Sequence, residues 1–210
     1  MGRTAIPDIV VSRLPLYLRA INRMEEEGLE YISSHELGAR LGISAAQIRK
    51  DLSQFGEFGK QGTGYHIPFL KKQLIRILKV DRVWDVAVIG AGDVGSALAR
   101  YQGFREHGFR VVMLFDSDPA KIGHTINDIE VQDVAQMEAR ITEAGIQIAM
   151  LAVPAPVAQE IADKLIAAGV RAILNYAPVN LAVREGIRVE HIDPVIHLQH
   201  MTYYLMPRED

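Results

Sequence analysis

Apolar residues recur at helical spacing through the first 80 positions, then give way to short β-branched runs separated by helical stretches. Leu14, Tyr17, Leu18 and Ile21 share one side of a helix predicted from Pro7 or Asp8 to Glu27, with Pro15 marking a bend or the first helical position. Ser33 and Glu36 have the spacing of a capping box and open a short helix through Leu37 and Leu41. Gly42 to Ser44 form a turn, and Ser44 with Gln47 repeats the capping pattern for a third helix from Ala45 to about Gln54. Two short capped helices around a glycine turn predict a helix-turn-helix. On the third helix Ile48, Leu52 and Phe55 face the core, which turns Ala46, Gln47, Lys50, Ser53 and Gln54 outward and leaves Arg49 on the flank. Four glycines in the nine residues Gly56 to Gly64 predict a hairpin with Lys60 near its tip. Pro68 opens an amphipathic helix to Lys79, and residues 80–85 form a domain boundary.

Beyond it the pattern alternates: strand 86–90, helix 94–103, strand 110–115, helix 134–144, strand 147–153, helix 157–168, strand 171–175. This order predicts an α/β domain with a doubly wound parallel sheet. Ligands in such sheets lie at the carboxyl ends of the strands, here Gly90, Asp116, Val153 with Pro154, and Asn175 with Tyr176. Tyr101 falls with Val94, Ala97 and Leu98 at helical spacing, which places it in the core. A last strand is predicted from Arg188 to Ile192, and Asp193 with Pro194 caps a final helix to Met206. Ile196, Leu198, Met201, Tyr204 and Leu205 make that helix apolar on more than one face, so it needs a second subunit to cover it. His197 and His200 have no third ligand nearby and read as an interface or solvated pair, not a metal site.

Of the 210 residues 49% are hydrophobic, which excludes a disordered chain, and the lack of cysteine excludes disulfides and thiolate chemistry. No secretory pattern or membrane-length apolar run is present, so a cytoplasmic protein is expected. The net charge of −3 conceals an asymmetry. Residues 1–80 hold 12 Lys and Arg against 8 Asp and Glu, whereas residues 81–210 hold 11 against 18. A basic module joined to an acidic one suggests that the first binds a polyanion.

Candidate chemistry sharpens both halves. Gly90, Ala91, Gly92, Asp93, Val94 and Gly95 follow a β-branched run at G-x-G-x-x-G spacing and open a helix. The first glycine makes the turn, the second admits a pyrophosphate, and the third lets helix pack on strand. Asp116, at the end of the second strand, would accept ribose hydroxyls and repel a 2′-phosphate, which favours NAD(H) over NADP(H). In the first half, Ser44, Gln47, Arg49 and Lys50 are the residues expected at DNA: Arg or Lys bonds guanine and Gln bonds adenine in the major groove. Lys60 would reach a phosphate or the minor groove from the glycine hairpin, where Gln61 excludes a Walker loop.

The chain resembles the Rex redox-sensing transcriptional repressors of bacteria over essentially its whole length. The resemblance rests on Ile48 to Leu52, Phe55 to Gly62, Gly64 with Tyr65, Gly90 to Gly95, Tyr101 to Phe104, and Leu174 to Pro178. It implies a homodimer whose chains carry a winged-helix DNA-binding domain (1–80), a Rossmann NAD(H)-binding domain (81–192) and a C-terminal swapped dimerisation helix (193–210). Members bind inverted-repeat operators when NADH is scarce and release them when NADH rises. The resemblance also puts Arg49, Lys50 and Lys60 at DNA, Arg13 near its backbone, and Arg19, Asp193 and the partner's Tyr101 in a cluster that rearranges with NADH or NAD+. The chain departs from the family pattern at Gln54, where many members carry an aromatic residue, and at Pro194, where some place a phenylalanine against the nicotinamide. Two other readings share parts of the pattern: an NAD-dependent dehydrogenase with an N-terminal appendage, and a coenzyme A-binding subunit of related fold.

Overall fold

In the computed structural model, which describes residues 6–60 and 62–205, the chain divides between Arg82 and Val83 into two units. The first contains α1 (Asp8–Val11), α2 (Leu14–Glu26), β1 (Tyr31–Ile32), α3 (Ser34–Leu41), α4 (Ala45–Ser53), β2 (Gly59–Lys60), β3 (Gly64–His66) and α5 (Ile67–Leu78). Where a single helix to Glu27 is predicted, the structure has two helices broken at Ser12 and Arg13. Pro15 explains the break, because it has no N–H to donate and its ring crowds the carbonyl of Val11 one turn back. Leu14, Tyr17, Ile21 and Met24 of α2 pack with Leu37, Ile48, Leu52, Leu70 and Leu74 in one core. Ser33 and Glu36 form the complete capping box at α3. At α4 only half of the second box forms: the Gln47 N–H donates to Ser44 Oγ, but the Gln47 side chain goes elsewhere.

The glycine hairpin is β2 and β3, antiparallel, with β1 pairing on the other side of β3. This small sheet beside a helix-turn-helix is the winged-helix arrangement. Lys60 ends β2 and its carbonyl accepts from the Thr63 N–H, so it stands exposed near the tip.

The second unit is built on a seven-stranded sheet. Its strands are β4 (Trp84–Ile89), β5 (Phe109–Asp116), β6 (Thr125–Ile126), β7 (Ile129–Asp133), β8 (Ile148–Leu151), β9 (Ala172–Asn175) and β10 (Arg188–His191). Their order is β10-β9-β8-β4-β5-β7-β6, all parallel except the β6–β7 hairpin. The chain starts at the centre with β4, builds outward through β5 and β7, then returns to the other side of β4 for β8 to β10. Strand order therefore reverses beside β4, the position at which doubly wound sheets open a ligand crevice. Helices α6 (Asp93–Arg100), α7 (Gly103–Glu106), α8 (Met137–Ala144) and α9 (Ala155–Ala167) connect the strands, and α10 (Pro194–Thr202) ends the described fold.

The β6–β7 hairpin and Tyr101 depart from the sequence pattern, whereas α10 leaves exposed the apolar faces expected of it. Residues 125–133, without predicted structure, form the β6–β7 hairpin; Asn127 and Asp128 both adopt positive φ at its tip, as a tight hairpin turn of the right twist requires. Tyr101, expected in the core, is exposed together with Val94 and Ala97. The buried face of α6 is formed by Gly95 and Ala99, because only small residues fit against the sheet there. No residue of α10 is buried, and Val195, Ile196, Leu198 and Met201 all face outward. Met206, the expected end of that helix, lies outside the described residues. Among the described residues no helix is long and apolar enough to cross a membrane.

Candidate functional site

The G-x-G-x-x-G segment forms the turn between β4 and α6. Gly90 has φ +96° and a Cβ there would lie 2.3 Å from the Ala152 carbonyl oxygen, so both conformation and space require glycine. At Gly95 a Cβ would fall 1.7 Å from the Gly90 carbonyl oxygen, which makes this glycine the condition for α6 to sit on the turn. Gly92 differs: nothing lies within 4 Å of its Cβ position. The fold does not need glycine there, but a phosphate approaching the backbone at the start of α6 does.

Asp116 closes this loop from the end of β5. Its Oδ2 accepts the Ala91 N–H at 2.7 Å, its Oδ1 accepts the Asp118 N–H at 2.8 Å, and Lys121 Nζ donates to Oδ2 at 3.2 Å. Burial alone would raise its pKa, but these donors outweigh burial and hold the carboxyl below its ordinary value. Three bonds do not fill the roughly four lone-pair sites of a carboxylate, so Asp116 can still accept a ribose hydroxyl. Val153 reaches the same crevice, since its Cγ1 lies 3.2 Å from the Gly90 Cβ position, and Pro154 follows as the N-cap of α9.

Asn175 is at the predicted strand end but its side chain is occupied within the protein. Its Nδ2 donates to the carbonyls of Ala177 and Val179, its Oδ1 accepts the Ala177 N–H, and Nδ2 also lies 3.1 Å from His191 Nδ1. It shapes the loop after β9 and holds that loop to β10. Tyr176, half-buried, has its phenol pKa raised by burial.

The first unit brings together a set that spacing does not show. Asp51, on the inner side of α4, is fully buried. It accepts a bidentate pair from Arg13 at 2.6 and 2.8 Å, the Tyr17 hydroxyl at 2.6 Å and the Gln47 amide at 2.7 Å. Burial by itself would raise the Asp51 pKa; the bonds from Arg13, Tyr17 and Gln47 with the Arg13 charge keep it below the ordinary value. Burial and the neighbouring Asp51 raise the Tyr17 phenol, and the Asp51 hydrogen bond raises the Arg13 guanidinium. Arg13, expected near the DNA backbone, thus clamps the α1–α2 break to α4. Arg49 and Lys50 are exposed on α4, and Arg49 Nη1 donates to Ser34 Oγ at 2.8 Å. Together with the wing residues Gly59, Lys60 and Thr63, Arg49 lines a cleft between α4 and the hairpin. Ser44 uses its hydroxyl to cap α4.

The expected switch residues have separate engagements. Arg19 is exposed on α2. Tyr101 packs edge-on against Phe104 at 4.9 Å between ring centres, and Asp193 caps α10 through the Val195 N–H. The sequence pattern assigns no role to Asp51, although it falls within the Ile48–Leu52 stretch, nor to Lys121, which lies outside the quoted motifs.

Comparison with known proteins gives both units a context. Residues 5–53 match a family model described as putative DNA-binding protein N-terminus, and residues 81–179 match the CoA binding domain model. A protein of Roseiflexus sp. (strain RS-1) named redox-sensing transcriptional repressor Rex is 54% identical over 95% of this chain and 90% of its own. A Rex repressor of Chloroflexus aurantiacus is 53% identical over 97% and 96%, and Rex 1 of Thermotoga maritima 45% identical over 97% of both. Among solved structures, RSP in complex with β-NAD+ and operator DNA matches with TM-score 0.92 and 38% identity over 96% of this chain and 93% of that one. RSP in complex with β-NADH matches with TM-score 0.88 and 36% identity, over 96% and 95%. The Rex relatives are named transcriptional repressors, which sets aside the dehydrogenase reading. A winged helix followed by a glycine-rich turn with an acid at the end of the next strand, at this identity over nearly the full length, means that the chain belongs to the Rex family of redox-sensing transcriptional repressors.

Proposed function

We propose that this protein is a cytoplasmic, dimeric repressor that binds an inverted-repeat operator when NADH is low and releases it when NADH binds. The observation that carries the reading is one chain holding an open phosphate approach at Gly92 with an unfilled ribose acid, and a basic winged helix with Arg49, Lys50 and Lys60 exposed. RSP, a relative of the same architecture, has been captured with β-NAD+ and operator DNA and with β-NADH. Arg49, Lys50 and Lys60 contact the operator in this reading, and Arg13 acts through Asp51. The nucleotide lies over Gly90 to Gly95, with its adenine ribose at Asp116 and its nicotinamide toward Val153, Pro154 and Tyr176. The apolar outer surface of α10 supports a dimer in which a second copy covers it.

Regulation requires a nucleotide that binds the DNA-competent and incompetent dimers unequally. NADH and NAD+ differ in charge and planarity only at the nicotinamide, so groups around that ring must discriminate; Arg19, Tyr101 and Asp193 are the proposed relay. A coupling of about 1–3 kcal/mol changes operator affinity about 5–150-fold. Two recognition helices about 34 Å apart are needed to read successive major grooves, so a modest rotation between subunits is sufficient to abolish binding.

The test selects DNA from a random pool with the purified protein and follows the anisotropy of the selected duplex during NADH and NAD+ titrations. Recovery of an inverted repeat, released by NADH at concentrations where NAD+ leaves it bound, is expected. Failure to select DNA, or binding indifferent to both nucleotides, rejects the reading.

A further inference from the structure

Strands β9 and β10 end side by side, and the bonds between their ends lie midway between two groups that the proposed function uses. On one side Tyr176 follows β9, and its N–H donates to the Leu151 carbonyl at 2.8 Å, which ties it to the end of β8 just before Val153 and Pro154. On the other side Asp193 follows His191, the last residue of β10, by two positions and caps α10. Between them the Ile192 N–H donates to the Asn175 carbonyl at 2.8 Å, and the buried Asn175 side chain reaches His191.

The Asn175 amide is oriented by its own loop. Its Oδ1 accepts the Ala177 N–H at 3.0 Å, so the atom turned to His191 is Nδ2, which only donates. His191 Nδ1 is therefore the acceptor, and the ring proton lies on Nε2. Nδ2 has two hydrogens for three acceptors: the Val179 carbonyl at 2.8 Å, His191 Nδ1 at 3.1 Å and the Ala177 carbonyl at 3.2 Å. Val179 takes the short bond, and Ala177 and His191 compete for the second hydrogen at nearly equal distance. How that hydrogen is divided depends on where the loop after β9 stands. The far end of this loop is held to α9, since Gln159 bonds both the N–H and the carbonyl of Ala182. A displacement at Tyr176 is thus taken up beside the Asn175 amide, out of water, where hydrogen bonds are strong.

We infer that Asn175 and His191 form a positioning pair that carries the state of the nicotinamide from the loop after β9 to the segment entering α10. The inference rests on the placement of the ring at Val153, Pro154 and Tyr176 proposed above, and adds His191 to a relay that otherwise begins at Asp193. The neutral ring of NADH and the charged, flat ring of NAD+ press differently on Tyr176, so each favours a different division of the shared hydrogen. With His191 engaged, the end of β10 is locked to β9 and Asp193 is held at the start of α10. With it released, residues 191–193 can turn.

The experiment uses the full-length protein as wild type, His191→Asn and His191→Leu, and measures affinity for the selected inverted repeat without nucleotide and at saturating NADH. NADH binding is followed separately by the anisotropy of the reduced nicotinamide fluorescence. His191 is exposed, so the strand tolerates both changes. The asparagine keeps an oxygen that accepts from Asn175 Nδ2, whereas the leucine fills space without an acceptor. His191→Leu is expected to shrink the NADH-induced loss of operator affinity by about 3–10-fold, the weight of one neutral hydrogen bond. NADH binding by the free protein and operator binding without nucleotide should stay within about 2-fold of wild type, because coupling is a quantity separate from either affinity. His191→Asn should retain the wild-type coupling. Unchanged coupling in His191→Leu, equal loss in both variants, or loss of NADH binding in parallel with coupling, as a merely structural role would give, each overturns the inference. A wild type that binds NADH yet keeps its operator rejects the repressor reading and this inference with it, and one that binds no NADH rejects the nucleotide reading as well.

Discussion

Asp51 and Asp116 are both buried aspartates, each holding its unit's functional loop or helix, yet they do opposite things. Asp51 is saturated: four bonds from Arg13, Tyr17 and Gln47 fill its acceptor sites, and water does not reach it. Asp116 stands at the open end of a strand with three donors and remaining capacity. A buried carboxylate satisfied by its own chain is scaffold, whereas one left partly unsatisfied at the mouth of a crevice is available to a ligand. By the same criterion Gly95 belongs to the scaffold, whereas Gly92 leaves its backbone open to a ligand, since a Cβ collides at the first and meets nothing at the second.

The sharpest way to break this contrast is Asp51→Ala. It strips the Arg13 guanidinium of its carboxylate partner, and should cost the first unit about 3–5 kcal/mol. Urea denaturation should show that loss, with operator binding falling accordingly and NADH binding by the second unit retained. Asp116→Ala should reverse the pattern. With loss of charge-assisted bonds to the ribose of about 1.5–3 kcal/mol, NADH affinity falls roughly 10–100-fold, while the melting temperature of the first unit stays unchanged. Gly92→Ala should weaken NADH binding by about 10-fold, as a methyl group displaces the pyrophosphate by a fraction of an ångström, and calorimetry should find stability within about 0.5 kcal/mol of wild type.

The smallest effect is in acid. The folded Asp51 carboxyl is depressed from its ordinary 3.8, so its contribution is complete above that value and is lost as pH falls through the folded one. Asp51→Asn should therefore flatten the loss of first-unit stability below about pH 4, measured by denaturation at stepped pH. An unchanged slope would assign the acid sensitivity to other carboxylates.

What was legible in the sequence was local. The Ser33–Glu36 capping box, the glycine turn after β4 and the acid ending β5 depend on groups within a few residues of one another or on strand ends countable along the chain. The alternation of strands and helices likewise implied the parallel sheet. The β6–β7 hairpin escaped because its strands are short and its turn uses Asn127 and Asp128 without the usual glycine. Tyr101 misled because helical spacing identifies a stripe but not which stripe meets the sheet; α6 packs so close that Gly95 and Ala99 take that side. Asn175 was placed at its strand end but not its bonds to Ala177, Val179 and His191.

The sequence by itself determined where the chain turns, which helices are capped, and that a dinucleotide loop follows a basic helix-turn-helix. Only the tertiary structure decided what each charged side chain meets. Arg13 finds Asp51 across 38 positions, and Asp116 finds the Ala91 amide across 25. Such pairs form because packed helices and a twisted sheet bring distant backbones to hydrogen-bonding distance, and no periodicity along the chain encodes that distance.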